Sequence, residues 1–216
     1  MKNDFFNGII VGGVQTLTGH PFDTMKVLKQ NNFHSNNINL NKLYRGITYP
    51  MLGSGLFNSI QFGTYQHFQK KLDNTIYSGF LSGMFAGILL GPIDVLKINK
   101  QINNKNNINI FRGLHITCLR ESLSTSIYFT TYYNSLNYFD EKNSFNSFLC
   151  GGLAGGLSWF FTFPIDVVKT RVQSYKFNDI TSAIKYGNLW NGLSFCLIRA
   201  FIVNGSGFLV YNWLSD

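Results

Sequence analysis

Three copies of one charged motif are the features of this 216-residue chain best suited to chemistry. In each copy, Asp stands two residues after a proline, Lys stands five after it and Gln stands nine after it. The copies are Pro21/Asp23/Lys26/Gln30, Pro92/Asp94/Lys97/Gln101 and Pro164/Asp166/Lys169/Gln173. An Asp and a Lys three residues apart lie on one face of a helix, where a local pair contributes at most ~0.5 kcal/mol. Because local pairing needs no repetition in register, we predict a ring in which the acid of one copy pairs with the base of another.

A second element follows each motif, and it sets the register of three further positions. The elements read YRG (Tyr44–Gly46), FRG (Phe111–Gly113) and WNG (Trp190–Gly192). Arg120 and Arg199 each stand seven residues after the glycine of such an element, and Gly53 is the equivalent residue of the first copy. Glu121 adjoins Arg120. We predict that these positions face one binding site, whose arginines suit a carboxylate or a phosphate.

Arg120, Glu121 and Arg199 interrupt apolar segments, where a charge is costly and marks a function by default. A structural salt bridge between Glu121 and Arg199 is an alternative that stays open. It would still leave a surplus positive charge in the site. Gln61 and Tyr128, together with Ser124, are weaker candidates for the same cavity, because ordinary helix packing explains them equally well.

The segments that carry these residues are apolar enough to cross a membrane. Only 13% of the residues are charged, about half of the usual ~25% in soluble domains. A membrane-spanning helix requires about 20 apolar residues, and six segments free or nearly free of charge have this length: Phe5–Phe22, Gly46–Gln69, Thr75–Ile93, Gly113–Phe139, Ser144–Ile165 and Gly192–Ser215. The sequence therefore predicts an all-α membrane protein with six transmembrane helices.

The motif returns with a period of 71 to 72 residues, which is longer than the units of solenoid proteins. The period divides the chain into three tandem repeats, residues 1–72, 73–143 and 144–216, each with two spans and a basic connection. Glycines four residues apart occupy the same place in each repeat: Gly8/Gly12, Gly79/Gly83 and Gly151/Gly155. Since small residues let helices approach closely in lipid, we predict a pseudosymmetric bundle of three repeats around a central cavity.

Positive charge is concentrated in the connections between spans. Twelve of the 18 Lys and Arg residues lie in Lys26–Arg45, Lys97–Arg112 and Lys169–Lys185. With six spans, these segments fall on one side of the membrane, as the positive-inside rule predicts. This placement argues against a nucleic-acid-binding protein. The three cysteines share no motif spacing, and the sequence predicts no metal site, no cofactor and no enzymatic activity.

The repeated motif resembles the signature of the mitochondrial carrier family. That signature reads Pro-x-[Asp/Glu]-x-x-[Lys/Arg]-x-[Lys/Arg]-x-Gln, followed later by an aromatic residue, a basic residue and Gly. The resemblance covers nearly the whole chain, and the third copy is complete, with Arg171 at the second basic position. The first two copies have Leu28 and Asn99 there, and Asn191 replaces the basic residue before Gly192.

The resemblance implies an alternating-access transporter of the mitochondrial inner membrane, with its basic loops on the matrix side. It implies a matrix gate of pairs between repeats: Asp23–Lys97, Asp94–Lys169 and Asp166–Lys26. The motif glutamines are expected to brace this gate: Gln30, Gln101 and Gln173. Three glycines resemble the helix N-terminal positions that bind cardiolipin phosphates, consistent with anion binding at helix N-termini: Gly46, Gly113 and Gly192. The expected partners are a small-molecule substrate and cardiolipin, with no nucleic-acid polymer, and the chain is expected to function as a monomer.

The family's second charged network, at the cytoplasmic end of the even-numbered helices, lacks its charges here. The corresponding positions are Tyr65-Gln66…Gln69, Tyr133-Asn134…Leu136 and Tyr211-Asn212…Ser215. We therefore hypothesise a weak cytoplasmic gate of neutral hydrogen bonds, so that the cytoplasm-open state dominates at rest.

An Arg–Glu pair in the second repeat resembles carriers of amino acids and related zwitterions, and the surrounding sequence resembles the carnitine/acylcarnitine and ornithine carrier subgroup. In this interpretation Glu121 binds an ammonium group, and Arg199 with Arg120 binds a carboxylate. The leading hypothesis is a carrier of an amino acid, a carnitine-like molecule or a related zwitterion. A (deoxy)nucleotide is the alternative substrate, because two arginines also suit phosphates. A non-transporting membrane anchor is less favoured, because all three Asp–Lys pairs are present.

Overall fold

The computed structural model describes residues 2–31, 40–104, 108–138, 144–199 and 202–203. Side chains are described from residue 13 onward, except within 52–59 and 144–148. In the part of the chain described, the secondary structure is helical and contains no strand. The helices are α1 (Lys2–Gln30), α2 (Leu40–Leu43), α3 (Thr48–Leu72), α4 (Thr75–Gln101), α5 (Leu114–Leu136), α6 (Ser144–Gln173) and α7 (Ile180–Lys185). Residues 193–199 are helical as well.

The motif prolines lie inside the three longest helices. Pro21 is in α1, Pro92 is in α4 and Pro164 is in α6. A proline removes one backbone hydrogen bond and tends to kink a helix, which neighbouring helices can compensate in a membrane protein. Each of these helices nevertheless continues past its proline and ends at the glutamine of its motif. The motif acid and base therefore lie in the last turns of a helix in all three copies.

The glycines of the aromatic–x–Gly elements form the turns before the next helices. Gly46 precedes α3, Gly113 precedes α5 and Gly192 precedes the helical residues 193–199. Their φ angles are +84°, +68° and +99°, a region in which a β-carbon is strained. Glycine is therefore required at these three positions for the chain to enter the following helix.

Helices α3 and α4 are joined by a tight turn. Asp73 ends α3 in the left-handed conformation, with φ of 47°. The side chain of Asn74 then accepts hydrogen bonds from the amides of Ile76 and Tyr77 at 3.0 and 3.2 Å. An Asn at this position satisfies amides that the first helical turn leaves free, so the sequence both ends one helix and begins the next.

Helices α4 and α5 approach so closely that only glycine fits between them. A β-carbon at Gly83 would lie 2.3 Å from the carbonyl oxygen of Glu121, and one at Gly79 would lie 2.7 Å from the Cα of Ser126. The close approach predicted for this glycine pair is therefore present, and it fixes Glu121 against α4. A β-carbon at Gly151 would lie 3.9 Å from Tyr128 Oη, and one at Gly155 would meet no described atom within 4 Å, so no such close approach is present at this pair among the described residues. The surroundings of Gly8 and Gly12 lie outside the described residues.

Two of the described helices are long and apolar enough to cross a membrane. They are Thr75–Gln101, with a mean hydropathy of 1.7, and Leu149–Gln173, with a mean hydropathy of 1.2. Length and composition alone support these two. The other four spans stay predictions from the sequence.

Candidate functional site

Helices from all three repeats line a central cavity of about 490 Å³. Its described lining holds five cations, Lys26, Lys97, Arg120, Lys169 and Arg199, and four carboxylates, Asp23, Asp94, Glu121 and Asp166. One positive charge is therefore in surplus among the described lining residues. This balance favours a ligand that carries at least one carboxylate or phosphate.

The structure pairs each motif acid with a lysine from another repeat. The ion pairs are Asp23–Lys97 (2.7 Å between Oδ2 and Nζ), Asp166–Lys26 (2.6 Å between Oδ2 and Nζ) and Asp94–Lys169. All six side chains are at most 18% exposed. Removing one partner of a buried pair costs about 3–5 kcal/mol, so this ring holds the ends of α1, α4 and α6 together.

The arginines of the predicted binding site contact the carboxylates of the same ring. Arg199 Nε lies 2.8 Å from Asp23 Oδ1. Arg120 Nε lies 3.7 Å from Asp166 Oδ1. Each arginine therefore faces an anion that the protein itself supplies, and the binding site and the ring form one charged network.

Glu121 is the carboxylate of the predicted binding site, and it contacts cations of this network. It is 2% exposed, pairs with Nη1 of the adjacent Arg120, and lies 3.9 Å from Lys169 Nζ. The salt bridge between Glu121 and Arg199 that the sequence left open does not form in the structure. Arg199 instead pairs with Asp23, because that carboxylate lies within reach at the end of α1.

Only one of the three motif glutamines braces an ion pair. Gln30 Nε2 donates to Asp166 Oδ2 at 3.0 Å. Gln101 and Gln173 donate instead to threonine hydroxyls of α1 and α5, at 3.0 Å in both cases. For Gln101 and Gln173, whose amide nitrogens bond to threonines of neighbouring helices, the role of gate brace therefore stays a prediction.

Four other residues were predicted to line the site: Gln61, Ser124, Tyr128 and Gly53. Gln61, Ser124 and Tyr128 all line the cavity, and Gln61 Nε2 donates to Thr125 Oγ1 across the α3–α5 interface at 2.8 Å. Gly53 belongs to α3, but its surroundings lie outside the described residues. Its place in the site therefore stays a prediction.

Trp159 of α6 is a site residue that the sequence did not reveal. Lys26 Nζ and Arg120 Cζ each lie 4.4 Å from the centroid of its indole ring. A cation over an aromatic face gains about 0.5–2 kcal/mol. Trp159 stands five residues before the proline of the third copy, where the other copies have Thr16 and Gly87. Because this position is not repeated, the motif comparison could not identify it.

Aromatic side chains lie where the family's second charged network would be. Tyr65 stacks on Phe129, with ring centroids 3.6 Å apart, and Tyr65 and Tyr133 lie 6.0 Å apart with nearly parallel rings. Among the described residues, stacking therefore joins the ends of α3 and α5 here. The third set of positions, Tyr211-Asn212…Ser215, lies outside the described residues.

The three turn glycines each pack against the end of a proline-containing helix from another repeat. The nearest atoms to a β-carbon built at Gly46, Gly113 and Gly192 belong to α4, α6 and α1, at 3.2, 3.3 and 3.4 Å. Their proposed contact with cardiolipin stays a prediction.

Comparison with known proteins shows similarity to one family. The model of the family described as "Mitochondrial carrier protein" matches residues 140–216. The mitochondrial arginine transporter BAC2 of Arabidopsis thaliana is 26% identical over 262 aligned residues, which cover 96% of this chain and 88% of that protein. The human mitochondrial basic amino acids transporter is 26% identical over 269 residues, with coverage of 96% and 88%. This chain is therefore similar to mitochondrial carriers along nearly its whole length.

A third relative of this chain is the glutamate/glycine mitochondrial carrier ymc1 of Schizosaccharomyces pombe, 27% identical over 281 residues, which cover 99% of this chain and 93% of that protein. These relatives are named as transporters and carriers, so the comparisons confirm the prediction that the chain is not an enzyme. The same similarity indicates a mitochondrial membrane as the location of the chain.

Proposed function

We propose that this carrier moves an amino acid, or a carnitine-like or related zwitterion, across the mitochondrial inner membrane by alternating access. The observation that carries the proposal is the pair of charges that the gate presents to the site: a carboxylate faces Arg199 and an ammonium faces Glu121. These are the two charged groups of a zwitterion. A carboxylate lies 2.8 Å from Arg199, and an ammonium lies 3.9 Å from Glu121. A zwitterion can replace both groups, whereas a simple anion replaces only the carboxylate.

Substrate binding then weakens the gate through the shared charges. When a substrate carboxylate engages Arg199 and Arg120, Asp23 and Asp166 each lose one cationic contact. When a substrate ammonium engages Glu121, it competes with Lys169 for that carboxylate. A ligand shifts a conformational equilibrium only by its differential affinity for the two states, and this exchange of partners supplies the difference.

The wider arrangement belongs to the same proposal. Six spans in three repeats, 1–72, 73–143 and 144–216, enclose the cavity, and the basic connections lie on the matrix side. Three proline-containing helices that each end at the motif glutamine support this symmetry. Gly53 completes the site in the first repeat, and cardiolipin binds at the turn glycines, while the carrier works as a monomer whose resting state is open to the cytoplasm.

The substrate class is supported by relatives as well as by the site. The printed names of three relatives refer to arginine, basic amino acids, and glutamate and glycine. The two arginines and the surplus positive charge also suit the phosphates of a (deoxy)nucleotide, which is the competing substrate.

The test is uptake into liposomes that contain the purified carrier and are preloaded with amino acids, acylcarnitines or deoxynucleotides. We expect exchange of amino acids or carnitine-like zwitterions, its loss in Arg199→Ala, and its retention in Asp73→Asn, which changes an exposed acid outside the cavity. Uptake of deoxynucleotides without zwitterions would overturn the substrate class. Absence of uptake for every ligand, from correctly folded protein, would favour a membrane anchor.

A further inference from the structure

At the gate end of the bundle, two side chains of the second repeat bind the last carbonyls of α6. Asn99 Nδ2 donates to Gln173 O at 2.9 Å, and Arg112 Nε donates to Val172 O at 2.7 Å. We use the word staple for such a bond, from a side chain of one repeat to a carbonyl at the end of another repeat's proline-containing helix. The first staple position is seven residues after the motif proline, and the second precedes the turn glycine.

The third repeat uses the same two positions to staple the end of α1. Arg171 Nε donates to Gln30 O at 3.2 Å, and Asn191 Nδ2 donates to Lys29 O at 2.8 Å. Arg171 is fully buried and also donates to three carbonyls around the end of α7. The end of α6 is therefore held by two staples from the second repeat, and the end of α1 is held by two staples from the third repeat.

The seam between the first and second repeats lacks this arrangement. The first staple position there is Leu28, whose side chain has no hydrogen-bond donor. The second is Arg45, which makes no bond to Lys100 O or Gln101 O among the described residues. The end of α4 is closed by its own turn, in which Asn103 N donates to Lys100 O at 3.2 Å; the end of α6 has the same kind of turn, from Tyr175 N to Val172 O, in addition to its staples.

Besides the bonds that α3 makes to α4 and α5 farther along the bundle, two polar side-chain contacts join the first and second repeats at the gate end among the described residues. They are the Asp23–Lys97 ion pair at 2.7 Å and the bond from Gln101 Nε2 to the hydroxyl of Thr24 at 3.0 Å. Asp23 is also the carboxylate that faces Arg199. At the gate end, the first and second repeats are therefore joined by the fewest polar side-chain contacts among the described residues, and their ion pair shares Asp23 with Arg199 of the binding site.

We propose that the gate end of this carrier opens first between α1 and α4, while the third repeat stays stapled to both neighbours. The trigger, loss of Arg199 from Asp23, rests on the proposed function, because it assigns Arg199 to the substrate. The order of opening does not, since it follows from Leu28 and from the four staples alone.

The experiment is hydrogen–deuterium exchange of the purified carrier without any substrate. It compares the last turns of α1, α4 and α6, at residues 27–30, 98–101 and 170–173. We expect the last turn of α4 to exchange at least about 2-fold faster than the other two, because one net hydrogen bond corresponds to about a 2- to 10-fold change in an equilibrium. Equal rates, or slowest exchange in α4, would overturn the proposal.

A matched pair of variants tests the cause. Leu28→Asn supplies the missing donor and should slow exchange at the end of α4 by about 2- to 10-fold, whereas Leu28→Met has no donor and should leave it unchanged. Asn99→Leu should accelerate exchange at the end of α6. If Leu28→Asn behaves like Leu28→Met, the staple explanation is wrong. Because no substrate is present, failure of amino-acid uptake would contradict the proposed function without altering this result.

Discussion

Replacing Asp23 with Asn should destabilise this protein more than replacing Asp94 with Asn, although both changes remove one carboxylate of the same motif. Each variant leaves one lysine without its partner. Asp23→Asn also leaves Arg199 unpaired, because both cations contact the same carboxylate. Asp94→Asn leaves Lys169 with Glu121 still 3.9 Å away, so a second carboxylate offsets part of the loss.

The magnitude follows from burial. Breaking a buried ion pair costs about 3–5 kcal/mol, and this term is common to both variants. The additional term is the contact between Arg199 and Asp23, and solvent screens it because the Arg199 side chain is 32% exposed. A pair with this exposure is worth about 1 kcal/mol at most. For a chain of this size, 1 kcal/mol corresponds to about 2–4 °C in Tm, which is the expected difference between the two variants.

Thermal unfolding with a thiol-reactive fluorophore measures this difference. The cysteines are free, and Cys150 and Cys196 are buried, so their labelling reports loss of packing. Asp73→Asn is the control, because Asp73 is an exposed acid in a turn, and its Tm should match that of the wild type. An equal Tm for the two gate variants, or a lower one for Asp94→Asn, would refute the unequal network.

Two further predictions concern packing around the same site. Trp159→Leu removes two cation contacts and should lower the free energy of unfolding by about 1–3 kcal/mol, with Trp159→Phe intermediate; an unchanged Tm in Trp159→Leu would mean that the indole does not hold these cations. Gly83→Ala places a β-carbon 2.3 Å from the Glu121 carbonyl oxygen and should force α4 and α5 apart, with a large loss of folded protein on size-exclusion chromatography. The exposed Gly63→Ala, with no described atom within 4 Å of its β-carbon, is the control and should fold normally.

Repetition in the sequence carried most of what could be predicted about this site. The repeat predicted that Asp23 pairs with a lysine of another repeat rather than with Lys26, and the resemblance to mitochondrial carriers implied Lys97 as that partner; the structure has that contact. The equivalence of Arg120 and Arg199 likewise placed both in one cavity. The pairing between repeats and the equivalence of the two arginines depend only on register, which a period of 71 to 72 residues defines well.

Contacts that differ between repeats could not be predicted in the same way. Gln101 and Gln173 share a position with Gln30, yet only Gln30 reaches a carboxylate. Several cations and anions lie within a few ångströms of one another, so the choice of partner depends on side-chain conformation rather than on spacing. The contacts of Trp159 could not be predicted either, because a tryptophan is present at this position in one repeat only and comparison of the repeats does not reveal it.

The most direct test of the proposed function compares an amino acid with its analogue that lacks the amino group, in exchange across liposomes containing the carrier. Glu121 and Arg199 as the two poles of a zwitterion site predict that the wild type prefers the amino acid. They also predict that Glu121→Gln loses this preference while Arg199→Ala transports neither compound. Equal transport of both compounds by the wild type, or an unchanged preference in Glu121→Gln, would contradict the zwitterion site.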